Sequence, residues 1–199
     1  GSKGGGGTKH KQKQKQHKLV RRYTQIMIIE IVKMFYTVFK EWIISPFEEE
    51  QCMCFVFERK RPRYKNKDSK DIIKDGIHLM WPYMVCPFSF QQKIRTEMIK
   101  KIKESRIFDK MELINEIADV YDKGVIDGNW MMYGSCKPKH KPYKLTHIYK
   151  YIEDENDGEN GDDDGGTFEI EDMKIDPQQY TPTYLIRILS IRAREDNQV

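Results

Sequence analysis

Lys74, Gly76 and His78 occupy alternate positions in the run Lys74-Asp75-Gly76-Ile77-His78-Leu79-Met80-Trp81-Pro82. Successive side chains of an extended strand point to opposite faces, so these three share one face and Ile77 and Leu79 take the other. A cation, a bare backbone and an imidazole on one edge can receive nucleotide phosphates. Lysine would act as a point charge, glycine would allow close approach, and histidine would donate a hydrogen bond. A half-buried strand carrying one hydrogen-bonded histidine accounts for the same spacing. Downstream, Gly134-Ser135-Cys136-Lys137-Pro138 forms a turn with a hydroxyl and a cation. Such a turn can offer backbone N–H groups to an anion, although most serve only to reverse the chain.

The elements that must hold these residues follow from hydrophobic period. Thr24 reads as a helix N-cap, and Ile28, Ile31, Val32, Phe35, Phe39 and Trp42 recur at helical spacing with Glu30, Lys33, Thr37 and Lys40 outside. The helix should end before Pro46. Cys52 to Glu58 is a continuous apolar run and predicts a buried strand. Arg59 to Ser69 reads as a loop dense in positive charge, with Arg59, Lys60, Arg61, Arg63, Lys65 and Lys67. The strand from Ile77 to Val85 contains Pro82, which places it at a sheet edge or a bulge. Two helices are expected next, Phe90 to Lys103 with Ile94, Met98 and Ile102 inward, and Lys110 to Val120 with Leu113, Ile114 and Ile117 inward. Trp130 to Tyr133 predicts a short strand and Leu145 to Ile152 another. Tyr184 to Arg192 closes the domain as either a strand or a helix.

At 199 residues, one domain with a core of useful size is expected. The net charge of +4 permits polyanion binding without requiring it, and its distribution is more informative. Residues 1–22 hold eight Lys and Arg and no acid, whereas residues 153–166 hold eight acids and no base. Gly1 to Gly7 reads as a tag remnant and linker, residues 1–18 as a basic flexible tail, 19–194 as the domain and 195–199 as a tail. Segment 153–166 reads as an acidic disordered loop. The four cysteines, Cys52, Cys54, Cys86 and Cys136, lack CxxC spacing and read as reduced thiols of a cytosolic protein. A zinc site using His140 or His147 is the alternative. No signal peptide is visible, and Glu30, Lys33, Lys40 and Glu41 interrupt the most apolar stretch, so no membrane span is expected.

Three ordered segments carry a family resemblance: Lys74-Asp75-Gly76-Ile77-His78, Tyr121-Asp122-Lys123-Gly124-Val125-Ile126, and Trp130-Met131-Met132-Tyr133-Gly134-Ser135-Cys136-Lys137-Pro138. With Arg21-Arg22-Tyr23-Thr24 before them and Leu189-Ser190-Ile191-Arg192 after, the chain resembles the primase domain of the primase–helicases of nucleocytoplasmic large DNA viruses. That group lies within the archaeo-eukaryotic primase superfamily. The resemblance implies an α/β (α+β) core, a mixed or antiparallel sheet packed by helices. It also implies primer synthesis on single-stranded DNA by nucleotidyl transfer dependent on Mg²⁺ or Mn²⁺. His78 matches a triphosphate-contacting histidine, and Lys74 and Lys137 match phosphate-contacting lysines. Gly76 and Ser135 lie in the same nucleotide motifs, and Asp122 matches a metal-binding carboxylate. His78 and Asp122 are therefore the expected catalytic pair, and Arg59, Lys60, Arg61, Arg63 and Lys65 the expected nucleic-acid contacts. Implied partners are a single-stranded DNA template, nucleoside triphosphates and a helicase domain of the same polypeptide. The implied setting is the host cytoplasm or viral factory.

Two departures qualify these expectations. The family's first motif is a pair of carboxylates one residue apart on a strand upstream of the long helix, and residues 1–23 contain no Asp or Glu. The chain begins after that strand, or the glycine-rich linker stands in its place. Glu48-Glu49-Glu50 or Glu58 are possible substitutes. Met131 also stands where cellular relatives carry a nucleotide-holding arginine. Two-metal transfer needs several carboxylates, so the alternative is a non-catalytic module that binds single-stranded DNA and feeds a replicative helicase.

Overall fold

The computed structural model describes residues 19–43, 47–67, 70–128, 130, 132–153 and 168–189. Helix α1 spans Gln25–Trp42, and Thr24 Oγ1 caps it by accepting from Met27 N at 3.3 Å. Its buried stripe includes Ile28, Ile31, Val32, Phe35 and Phe39, joined by Tyr36 and Val38. Trp42 departs from the expected stripe: it is 47% exposed, and Lys93 Nζ sits 4.5 Å from its ring centroid.

Strands β1 (Met53–Glu58), β4 (Ile77–Met80), β5 (Lys144–Glu153) and β6 (Phe168–Asp172) form a sheet ordered β4-β1-β5-β6, with every pairing antiparallel. Together with the helices this is an α+β fold. Alternation along β1 divides the core. Cys54 and Val56 pack beneath α1 and α2 (Phe88–Ser105), while Phe55 and Phe57 join Ile148 and the C-terminal helix α5 (Pro182–Ile188) on the other face. A register shift between Val56 and Phe57 lets β5 turn without losing its inward residues.

Tyr36 joins the helix layer to the sheet. Fully buried, it donates to the Cys52 carbonyl, accepts from Trp81 Nε1 at 3.0 Å and stacks on Tyr151. Helix α2 buries Ile94, Met98 and Ile102, as the period predicts. Helix α5 settles the ambiguity at the C-terminal end: Thr181 Oγ1 accepts from Tyr184 N, and Pro182 occupies the first turn.

Several elements differ from expectation. The basic loop contains β2 (Arg63–Lys67), which forms a hairpin with β3 (Lys70–Lys74), because Tyr64, Ile72 and Ile73 supply strand-forming side chains. Strand β4 stops at Met80, where Trp81, Pro82, Tyr83 and Met84 make a turn closed by Met84 N to Trp81 O at 3.2 Å. Its edge position agrees with the Pro82 argument. The helix expected from Lys110 to Val120 is absent. A 3₁₀ turn at Asp109–Met111 ends at Glu112, whose φ of 52° is left-handed and stops propagation. Leu113 and Ile114 are exposed, and only Ile117–Val120 (α3) is helical. Trp130 and Tyr133 belong to no strand; they pack as side chains, Tyr133 against Phe57. Strand β6 was not foreseen.

All four cysteines are free thiols, with Cys52 and Cys54 buried. No helix among the described residues is long and apolar enough to cross a membrane. The basic tail, the acidic segment from residue 154, Met131 and the residues from 190 lie outside the described residues.

Candidate anion-binding site

His78 projects from edge strand β4 on the face away from α1 and α2, opposite Phe57 in the register, while Ile77 and Leu79 pack into the helix-covered cluster. Its ring lies on Tyr143, with centroids 3.9 Å apart and planes 16° from parallel, and Trp130 meets it edge-on at 5.3 Å. Tyr143 in turn receives Arg59 Nε on its hydroxyl at 2.7 Å, and the Arg59 guanidinium carbon sits 4.7 Å from its ring centroid. A Cβ built on Gly76 would meet Tyr143 Oη at 3.4 Å, an ordinary contact. Tyr143 alone therefore does not require glycine there.

The hairpin places Arg63 directly across from Lys74, with Lys65 two residues further along the same face. Partial desolvation, and then the fields of Lys65, Arg63, Arg59 and Lys137, hold the Lys74 ammonium below its ordinary value. His140 is lowered by desolvation and by Arg63, Arg59, Lys137 and Lys74. Five cations thus converge on one region, with His140 among them. Arg63 Nη1 lies 2.7 Å from His140 Nδ1, and Arg63 Nε is buried without a hydrogen-bond partner. Nε2 lies 3.2 Å from the same Nη1; a guanidinium can only donate, so one ring nitrogen of His140 must accept and the ring is neutral in this arrangement. His78 is lowered by desolvation and by Arg59, with Asp122 pulling the other way.

Asp122 is exposed, and its Oδ1 accepts from Gly124 N at 2.9 Å, opening helix α4 (Gly124–Asp127). Two side chains anchor this bend. Arg95 donates from Nε to the Tyr121 carbonyl at 3.0 Å and from Nη2 to the Ala118 carbonyl. Trp130 Nε1 donates to the Val125 carbonyl at 2.8 Å, tying the bend to His78. Ser135 is exposed in a turn closed by its own N–H to the Met132 carbonyl, with Gly134 at φ 82°.

The structure therefore brings Lys74, Arg63, Lys65 and Lys137 together with Arg59, while Arg59 and Asp122 both act on His78. Lys60 and Arg61 are exposed in the bend after β1 and are not among the cations acting on Lys74 or His140. Sequence reasoning missed Tyr143 and Trp130, and considered His140 only as a zinc ligand. Their aromatic and imidazole types were visible, but their nearness to β4 depends on the path of the chain from 130 to 143.

The family model for the C962R protein N-terminal AEP domain matches residues 10–149. The chain belongs to this AEP domain family. The AEP domain is 34% identical over 137 residues to a protein named putative helicase L207/L206 from Acanthamoeba polyphaga mimivirus, a match covering 68% of this chain and 14% of the relative. It is 24% identical over 148 residues to putative helicase 184R from Invertebrate iridescent virus 6, covering 67% of this chain and 15% of that protein. The AEP domain thus spans about a seventh of the length of these relatives. No solved structure matches it.

The described residues of the AEP domain do not fit a two-metal centre. Asp122 is the carboxylate that acts on His78, and the β1 residue facing His78 is Phe57. Among the described residues no group of three or more His, Cys, Asp or Glu is placed to hold a metal ion. Glu58 does not fill the gap: it follows the parity of Cys54 and Val56 toward the helix side, where Arg21 and Tyr23 hydrogen-bond it.

Proposed function

We propose that this AEP domain binds the phosphate chain of a nucleotide, as the nucleotide- and template-handling module of a virus-encoded primase–helicase acting in the host cytoplasm or viral factory. The observation that carries this is Arg63 held across from Lys74, with Arg59, Lys65 and Lys137 nearby. Like charges directly opposed in a hairpin destabilise it, and an anion between them reverses the sign of that interaction. His78, Lys74 and Lys137 would bind the triphosphate electrostatically, with Gly76 and the Ser135 turn bordering it. For the whole protein we assign primer synthesis on single-stranded DNA, a role that rests on family membership. Mg²⁺ or Mn²⁺ would supply the nucleotidyl-transfer chemistry there, and Asp122 is a described carboxylate that could contribute one ligand.

A second role as a grip on single-stranded DNA is favoured by Tyr64. It is 45% exposed on β2, on the hairpin face opposite Arg63 and Lys65, where it offers an aromatic surface on which a base can stack. Titrating the domain with fluorescent ATP and with labelled oligo-dT, alongside Lys74→Ala and Tyr64→Ala, tests both. Nucleotide binding lost in Lys74→Ala supports the phosphate site, and no nucleotide binding by the unaltered domain refutes it. DNA binding lost in Tyr64→Ala supports the grip.

A further inference from the structure

Arg21 stands just ahead of α1 and reaches three acceptors in two separate segments, Asp75 and the Glu58–Arg59 pair. Its Nε donates to Asp75 Oδ2 at 3.0 Å, Nη1 to Glu58 Oε1, and Nη2 to the backbone carbonyl of Arg59. Tyr23 adds a hydrogen bond to Glu58 Oε1 at 2.9 Å, and the Arg21 guanidinium lies 4.8 Å from the Tyr23 ring centroid. Burial and the fields of Asp75 and Glu58 push the Tyr23 phenol far above its ordinary value, which keeps it a donor. The Asp75 and Glu58 side chains are only 13% and 10% exposed, and Asp75 Oδ1 is buried with no partner.

What this network touches is specific. Asp75 lies between Lys74 and Gly76, and Glu58 immediately precedes Arg59. These segments belong to different sheets: β3 ends in the hairpin, and β1 lies in the main sheet beside β4. Asp75 and Gly76 lie outside both ladders, and the β4–β1 ladder resumes only at Ile77 opposite Glu58, so Arg21 adds a side-chain tie between Asp75 and the end of β1. A buried ion network is a weak source of stability, since apolar side chains of similar volume often replace one without loss. A planar fork with three acceptors in two segments sets geometry instead.

We propose that Arg21 is a positioning residue: by holding Asp75 and the Glu58–Arg59 peptide together, it sets the spacing of Lys74 and Arg59 that the bound phosphates require. This rests on the phosphate site proposed above. The site is then pre-formed across the junction of the two sheets, rather than assembled by the ligand.

The test is calorimetric titration of the full chain with inorganic tripolyphosphate, comparing Lys74→Ala, Arg21→Lys and Asp75→Asn. Lysine keeps the charge but cannot span three acceptors in one plane. Asp75→Asn leaves the Glu58 contact in place, so it provides a second variant if Arg21→Lys folds poorly. We expect Kd to weaken about tenfold in Arg21→Lys and in Asp75→Asn, with stoichiometry unchanged. A purely structural Arg21 would lower stoichiometry through unfolded molecules and leave the Kd of the folded fraction intact. Either variant at unchanged Kd, with Lys74→Ala weakened, overturns the positioning role and leaves the site standing. No binding by the unaltered chain, or unchanged binding by Lys74→Ala, overturns the site and the positioning role together.

Discussion

His78 and Tyr143, 65 positions apart in sequence, lie face to face with ring centroids 3.9 Å apart, and Arg59 anchors the Tyr143 hydroxyl. Tyr143 thus shields one face of the imidazole while holding a cation beside it. Replacing Tyr143 with Ala removes the main cover, so the His78 pKa should rise toward its ordinary value of 6.5. Titration of the His78 ring protons by NMR reads the shift; an unchanged midpoint would show that the cover comes from elsewhere.

Binding of phosphate should take up protons. In the free domain a ring nitrogen of His140 accepts from Arg63, and desolvation together with four cations holds the ring below 6.5. An anion screens those cations, so the imidazoles protonate more readily once it is bound. Tripolyphosphate affinity should therefore increase as pH falls through about 6.5 and below. Calorimetry in two buffers of different ionisation enthalpy measures the uptake, and His140→Ala should diminish it.

Stability should follow the opposite trend in the absence of ligand. The folded domain holds His78 below 6.5, so the unfolded chain gains its proton first as the pH drops. This contribution is complete above about pH 6.5, shrinks below it, and levels off once the folded imidazole is also protonated. Urea midpoints measured across this range should show the decline, and His78→Gln should flatten it.

The charge arrangement at the hairpin predicts opposing effects on stability and function. Arg63→Thr removes one of two opposed cations and introduces a strand-forming residue, so the melting temperature should hold or rise. The same change should weaken single-stranded DNA binding and reduce the salt slope, log K against log salt, by about 0.7 for one lost phosphate contact. A slope equal to that of the unaltered domain would remove Arg63 from the interface.

Tyr36→Phe tests the layer beneath the site. It strands the Trp81 indole N–H and removes one of two donors to the Cys52 carbonyl, which keeps its bond from Tyr151 N at 2.9 Å. The expected cost is about 1–3 kcal/mol in denaturant unfolding, with phosphate affinity unchanged because the hydroxyl lies on the other side of the sheet.

The sequence by itself determined the parts governed by local period. The Thr24 cap and apolar stripe of α1, the inward Ile94, Met98 and Ile102, and the separation of His78 from Ile77 and Leu79 all follow from side-chain direction along one element. Local pattern misled where the deciding contact was distant or a single dihedral intervened. Leu113 and Ile114 carry helical spacing, but the left-handed Glu112 ends the turn before them. The basic stretch after β1 reads as a solvated loop until β3 pairs with it and places Arg63 against Lys74. Tyr143, His140, Asp75 and Arg21 acquired their places only in the tertiary structure. Each meets partners tens of residues away, and the closure of those chain segments is set by sheet order and core packing rather than by neighbouring residues.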